Sequence, residues 1–359
     1  MTAPLVLFGA FDRHNLGDLL LAQVAQREAA PRPCLFAGLR AADLTAFGGN
    51  RVQALSGVLA AWRHDHGAAP LELLHVGGEV LDTDAWEAAV MLLPPGEAAA
   101  RVAALDRAPE ARLAWAAGYL GSERLAPYLL GAGDYGGVEV VADFRALGGV
   151  GLGERPAAFR AEVVAALHTA RSLTVRERTT QAALAALGVA AGLAPDPVSQ
   201  VAALFGDALR ARPHPAGDYL AVQCAASFGD DATLAALAHA LDAGGLPVVL
   251  FVAGTAPWHD DVAVLHRLAA RLRVPAQVVT PATVGDACAL IAAARGCVAS
   301  SLHALIVADA FAVPALGIEA RAGGAAKLRA YAATWGGFAV AAVETVAALA
   351  GWCRSLRGG

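Results

Sequence analysis

Short apolar runs closed by glycine or proline alternate along this chain with stretches whose apolar residues recur at helical spacing. Leu5–Phe8 is a continuous apolar run ending at Gly9, the mark of a buried strand, and Leu19, Leu20 and Val24 share one face of a predicted helix over 16–26. The pattern is weaker from 34 to 70, where it predicts a strand at 34–36 and a helix over 48–66. A strand over 71–76 closes on Gly77-Gly78, and helices are predicted over 85–92 and 96–106, with a strand at 113–116 and a turn at 119–121. The segment 131–153 is rich in glycine and reads as a mobile loop with a strand-like run at 138–141. A helix over 159–170 precedes a strand at 172–175.

Ala211-Arg212-Pro213-His214-Pro215-Ala216-Gly217 is the best linker, two prolines and a glycine between a helix and a fresh strand. After it the alternation is cleaner. Strands at 219–224, 248–252, 277–279, 296–299 and 315–318 are separated by helices over about 231–243, 259–271, 284–294 and 302–311, a succession of βα units. The expected fold class is α/β, two Rossmann-like domains facing a cleft in a GT-B-like arrangement. The expected boundaries are 1–212, 213–342 and a last segment 343–359, whose helix is a candidate to pack back on the first domain.

In such sheets ligands gather at the carboxyl ends of strands, which selects the chemistry-bearing residues worth weighing. His303 falls in the first turn of a helix that follows the strand at 296–299, with Ser300 and Ser301 as cap candidates. N–H groups without intrahelical partners make that turn a place for an anion, and an imidazole there can move a proton. The plain alternative is a satisfied core histidine on an alanine-rich helix. The loop after the first strand carries Asp12, Arg13 and His14; Asn15 and Asp18 suit a helix cap and first turn, but Gly17 inside that turn suggests a close approach to the backbone. Glu79, after Gly77 and Gly78, can serve as base, hydroxyl ligand or helix cap, and the cap is preferred. Arg176 can clamp a phosphate or carboxylate, or pair with Glu177 or Asp196. Trp258 and His259 can stack a base or sugar, although His259 with Asp260 and Asp261 also makes a good helix start.

Several pieces together resemble one family. Ser300-Ser301-Leu302-His303 followed by Val313-Pro314 and Gly317-Ile318 is similar to the C-terminal signature of polysaccharide pyruvyl transferases. Gly9-Ala10-Phe11 with Asn15-Leu16-Gly17-Asp18, and Val76-Gly77-Gly78-Glu79, resemble that family's N-terminal elements. Val175-Arg176-Glu177, Leu187-Gly188-Val189 and Pro195-Asp196-Pro197 resemble its middle block. Two departures stand out: the family usually has arginine at the position of Ser301, and often another where Gln223-Cys224-Ala225 stands. The resemblance implies transfer of a pyruvyl group from phosphoenolpyruvate to a sugar or glycoconjugate hydroxyl. It implies His303 as general acid, Ser300, Ser301, Lys327 and Arg176 on the donor side, and Arg13, Asn15, Gly17, Asp18, Gly77, Gly78 and Glu79 on the acceptor side. The missing arginines keep open a nucleotide-sugar donor, with Glu319 on its hydroxyls, or a catalytically silent member that binds a sugar or a partner.

Composition narrows the classes. At 359 residues and 57% hydrophobic the chain can bury two cores. Its mean hydropathy of +0.50 invites a membrane reading, but polar residues, glycine or proline break every run before the roughly 18 to 20 residues that a span needs. The start at 1–4 lacks a positive segment, so no secretory signal and a cytoplasmic location are expected. Peripheral membrane contact is left open. Five cysteines without C-x-x-C spacing argue against disulfides and zinc; no metal or cofactor is expected. A net charge of -5 with no basic cluster gives no electrostatic case for nucleic acid. Lys327 is the single lysine among 27 basic residues, in a chain that otherwise uses arginine, which marks it as a retained compact charge or as drift on a solvated helix. The absence of G-x-G-x-x-G with an acidic partner, of a Walker lysine and of G-x-S-x-G removes nicotinamide, ATP-hydrolysis and serine-hydrolase readings.

Overall fold

A computed structural model describes residues 3–105 and 107–356. Met1, Thr2 and Asp106, the last an end point of a predicted helix, lie outside the described residues, as do 357–359 of the last predicted segment. The chain divides into two compact units, Met1–His14 with Asp18–Pro197, and Asn15–Gly17 with Val198–Gly359.

The first unit runs β1 (Leu5–Phe8), α1 (Leu16–Ala29), β2 (Cys34–Gly38), β3 (Ala42–Asp43), β4 (Arg51–Ala54), α2 (Leu55–His66), β5 (Leu71–His75) and β6 (Gly78–Glu79). It continues through α3 (Ala85–Met91), α4 (Pro95–Leu105), α5 (Pro109–Leu120), β7 (Val140–Gly148), α6 (Ala157–Leu167), β8 (Ser172–Val175), α7 (Arg178–Ala186) and β9 (Gly192–Leu193). Its sheet has the order β3-β4-β2-β1-β5-β7-β8-β9, with β6 also on β7. Among the described residues of this sheet only the β3–β4 pair is antiparallel. Val6, Phe8, Leu71, Leu73, Phe144 and Val175 bring the strands into one buried core with Trp62 and Phe159.

Three expectations fail here for local reasons. The predicted helix over 48–66 is a strand followed by a helix, because 51–54 alternates in burial and pairs with β2. The predicted strand at 113–116 lies within α5, which opens with Pro109 at its first turn and ends on left-handed Gly121. The predicted mobile loop over 131–153 contains β7, a nine-residue strand paired with both β5 and β8.

The second unit holds α8 (Val201–Arg210), β10 (Leu220–Gln223), α9 (Asp231–Gly244), β11 (Val248–Phe251), α10 (Val262–Ala269), β12 (Ala276–Val279), α11 (Val284–Ala292) and β13 (Gly296–Ala299). It ends with α12 (Leu302–Ala310), β14 (Ala315–Glu319), α13 (Ala326–Trp335), β15 (Ala339–Ala342) and α14 (Val346–Ser355). Its sheet is wholly parallel, in the order β12-β11-β10-β13-β14-β15. Doubly covered parallel strands explain the continuous apolar runs at 248–251 and 296–299, every residue of which is buried.

Contacts divide the chain at Pro197/Val198 rather than at 212/213, because α8 packs on α11 and α12. The proline-glycine stretch is itself anchored in the second unit, Arg212 donating to Asp286 at 2.9 Å and to Thr283 at 2.8 Å. The last helix also stays with the second unit. Leu349, Ala350 and Cys353 join its core, and Gly244 admits α14 against α9, since a β-carbon there would fall 2.9 Å from that of Cys353. Among the described residues no helix is long and apolar enough to cross a membrane.

Candidate functional site

The carboxyl ends of β10, β11 and β13 carry a connected set of side chains in the second unit. Ser301 caps α12, its hydroxyl accepting from the N–H of Ala304 at 3.4 Å. His303, half-buried, is the second residue of that helix. Its imidazole lies over Gly17, at which a β-carbon would fall 1.8 Å from Nδ1. The close approach that Gly17 suggested is therefore made by His303. Asn15 accepts the N–H of Gly17 at 3.0 Å through its side chain. The 15–17 segment is fixed to the end of β11 by a bridge from Asn15 to Gly254 and by the Leu16 N–H on the Ala253 carbonyl at 2.8 Å.

Gln223, which the sequence singled out only as a place lacking an arginine, ties this set together. Its Oε1 accepts the N–H groups of Ser300 and Ser301 at 3.1 and 2.9 Å and the Ser300 hydroxyl at 3.2 Å. Its Nε2 donates to Asp260 at 2.6 Å, and the other oxygen of Asp260 accepts from Ala253 N–H at 2.6 Å. Desolvation pushes the Asp260 carboxyl up to about 6, against the bonds from Ala253 and Gln223. Two of the N–H groups expected to meet an anion are thus already taken by an uncharged amide oxygen. What the turn offers a ligand is the start of α12, the Ser301 cap and an imidazole.

Trp258 is half exposed in the same loop as Asp260, with φ at +65°, a backbone region that is rare for a bulky side chain. Beside it the His259 ring lies 3.0 Å from the Pro257 carbonyl, and Asp261 rather than His259 caps α10. Glu319, at the end of β14, is spent internally: it accepts the Ala325 N–H at 3.0 Å and pairs with Arg329. Lys327 stands exposed on α13, with no ion pair among the described residues.

In the first unit the candidate residues enter two of the ion-pair groups. Arg13 and Asp18 pair at 3.0 Å, both nearly buried, and Gly78 lies beside them, its would-be β-carbon 3.7 Å from Asp18 Oδ1. Gly77 and Gly78 take φ of +112° and +96°, the conformation that requires glycine. Glu79 caps no helix. It sits on β6, accepts the Val150 N–H at 3.1 Å and pairs with Arg176, because the chain runs along β7 before α3 begins. The Arg176 guanidinium also donates to Glu177 at 2.5 Å and to Asp196 at 3.1 Å, so each of its nitrogens is engaged by a carboxylate. Gly148 leaves room for it, since a β-carbon there would fall 2.5 Å from Nη2. Arg176 is therefore a buried pairing residue, held by three carboxylates. Nearby Asp82 is pushed up to about 7 by burial and by the charge of Glu79.

The overall fold has solved counterparts. UDP-GlcNAc 2-epimerase from Methanocaldococcus jannaschii superposes with a TM-score of 0.52 at 9% identity, over 99% of this chain and 93% of that one. The enzyme of the same name from Neisseria meningitidis, bound to UDP-GlcNAc, gives 0.52 at 10% identity, again over 99% and 93%. At such identities the likeness shows the fold alone, an α/β fold of GT-B type with parallel sheets. No curated protein matches in sequence. The polysaccharide pyruvyl transferase model matches residues 143–320, the stretch that holds Arg176, Asp196, Gln223, Trp258 and His303. Over that segment the chain belongs to the polysaccharide pyruvyl transferase family.

Proposed function

We propose that this protein is a transferase that moves a pyruvyl-derived group from phosphoenolpyruvate to a sugar or glycoconjugate hydroxyl, with His303 as the general acid. The observation that carries the reading is the seating of His303 in the first turn of α12 against Gly17. His303 delivers a proton to the enol methylene of the donor, and the acceptor hydroxyl attacks the adjacent carbon as positive charge develops there; a second hydroxyl of the same sugar then displaces phosphate from that carbon, one hydroxyl proton returning to His303 and the other leaving with the phosphate. The N-terminus of α12 and Lys327 face the donor's negative charge. Gly17 fixes the imidazole, while Gln223 and Asp260 hold the turn that carries it. Arg13, Asp18, Gly77 and Gly78 belong to the acceptor side of this reading.

A second reading, a nucleotide-sugar donor at the same turn, is favoured by one observation: Trp258, in the loop that carries Asp260, leaves half of its surface exposed for a base or sugar to stack on. Incubation with phosphoenolpyruvate or with UDP-sugars over a panel of glycosides separates the two by product. His303→Ala then tests the centre of both. Turnover is expected to fall by roughly two to four orders of magnitude with the melting temperature unchanged, and His303→Gln is not expected to restore it, since an amide cannot deliver the proton. Full activity per folded molecule in His303→Ala would remove the reading.

A further inference from the structure

Among the described residues five buried polar atoms lack hydrogen-bond partners; apart from Arg124 Nε these are Asp12 Oδ1, Arg13 Nη1, His75 Nε2 and the Tyr128 hydroxyl. They gather beyond the carboxyl end of β1. Asp12 and Arg13 follow that strand, and the ring of Phe8, its last residue, lies 5.0 Å from the ring of His75 and 6.2 Å from that of Tyr128. Arg13 is near enough for its charge to act on both Asp12 and Tyr128. Exposure is 7% for Asp12, 2% for His75 and 1% for Tyr128, so bulk water does not satisfy these atoms.

Their residues are fastened by other atoms. Asp12 Oδ2 accepts the Arg40 N–H at 3.1 Å, and Arg13 Nε donates to Asp18 at 3.0 Å, which leaves Oδ1 of the one and Nη1 of the other directed elsewhere. Buried polar groups are as a rule paired, so several orphans at one strand end point to a polar occupant. Charge selects its class. Asp18 already neutralises Arg13 and Asp12 adds a further carboxylate, so a phosphate or carboxylate would be repelled. Arg13 can only donate, an ionised Asp12 only accept, and Tyr128 can do either. A hydroxyl, which donates and accepts without charge, meets all three.

We propose that Asp12, Arg13, Tyr128 and His75 form a polar site that receives hydroxyl groups of the acceptor sugar. The site deepens the acceptor side of the function proposed above, and its test does not pass through turnover. Methyl galactoside, methyl mannoside and methyl N-acetylglucosaminide are titrated calorimetrically into the full chain, into Tyr128→Phe and into His303→Ala. At least one glycoside is expected to bind the full chain, to bind about tenfold or more weakly to Tyr128→Phe, and to bind His303→Ala as well as the full chain. Because Tyr128→Phe removes an orphaned hydroxyl, its melting temperature is expected to hold or rise. Failure of all three glycosides to bind, or equal affinity in Tyr128→Phe, overturns the proposal. A lowered melting temperature with unchanged affinity assigns the four groups to internal water instead and overturns it equally. A fully active His303→Ala would remove the catalytic reading and leave this result standing.

Discussion

The imidazole of His303 occupies the space that a side chain at Gly17 would fill: a β-carbon on Gly17 lies 1.8 Å from Nδ1 and 2.1 Å from Cγ of the ring. Gly17 has ordinary helical geometry near the start of α1, where alanine would stabilise the helix by about 1 kcal/mol if space allowed. The sign of Gly17→Ala therefore reports on the histidine. In the natural chain the substitution is expected to displace the ring, lowering turnover by roughly a hundredfold, the scale of an ångström-sized misplacement. In a His303→Ala background it is expected to be neutral or stabilising. Urea unfolding of the single and double variants checks this, and a Gly17→Ala effect that is the same in both backgrounds would separate the two residues.

Asp260 gives the site a dependence on pH whose sign is fixed. Its carboxyl titrates near 6 in the folded chain against an ordinary value of 3.8, so between these values the native state holds more protons than the unfolded one. Its contribution to stability is greatest below pH 3.8, declines as pH rises toward 6 and is constant above. Asp12, raised to about 6 by burial, acts in the same direction, so the difference between variants is the readable quantity. Asp260→Asn is expected to reduce the fall of unfolding free energy between pH 4 and 6 by up to about 1.4 kcal/mol per pH unit. Parallel stability curves for the two proteins would show that Asp260 titrates as in the unfolded chain.

Much of this was legible in the sequence, and what was missed has physical causes. The βα succession after residue 218 is plain because parallel strands buried on both faces are uninterrupted apolar runs. β15, Ala339–Ala342, was not, since its alanine-rich pattern resembles the helices around it. In 113–116 the alternation of Leu113, Ala114, Trp115 and Ala116 imitates a strand, yet Trp115 serves a helical packing, edge-on to Trp86 and stacked on Tyr119. His303 and Gly17 were each visible as oddities, but their contact joins positions far apart in the chain and has no local signal. Gln223 was noticed only for what it replaces, because its partners, Ser300, Ser301 and Asp260, come from two other strand ends. For Arg176 both pairings that the sequence suggested, Glu177 and Asp196, are present, and the third partner, Glu79, is contributed by β6.

Arg176 separates stability from binding. Three carboxylates converge on one guanidinium that is 1% exposed, and Glu177 and Asp196 are fully buried. Burial disfavours ionised Glu177 and raises its carboxyl against the pull of Arg176. Removing the cation leaves these acids without compensation, and Arg176→Met is expected to cost about 3–5 kcal/mol in urea unfolding. Affinity for phosphoenolpyruvate per folded molecule is expected to be unchanged. A stable Arg176→Met that no longer binds phosphoenolpyruvate would restore the donor clamp that the sequence allowed.

Lys327 and Arg329 stand two residues apart on α13 with equal charge, and the structure gives them different work. Arg329 pairs with Glu319, whose carboxylate is buried at the end of β14 and also accepts the Ala325 N–H that opens the helix. Arg329→Ala leaves that carboxylate with its backbone bonds from Ala325 and Gly323 alone, so it is expected to lower stability by about 1–3 kcal/mol, the penalty for a buried acceptor stripped of a charged partner. Lys327 is exposed, with no ion pair among the described residues, so Lys327→Ala is expected to leave the melting temperature where it is. Its charge bears on the donor if the proposed function is right. The Lys327→Ala change should then weaken phosphoenolpyruvate binding more than Arg329→Ala does, and the loss should shrink as salt screens an exposed cation. Titration of both variants at low and high salt decides the matter: equal, salt-independent affinities would return Lys327 to an ordinary solvated surface and leave the start of α12 as the only positive element that the proposal places beside His303.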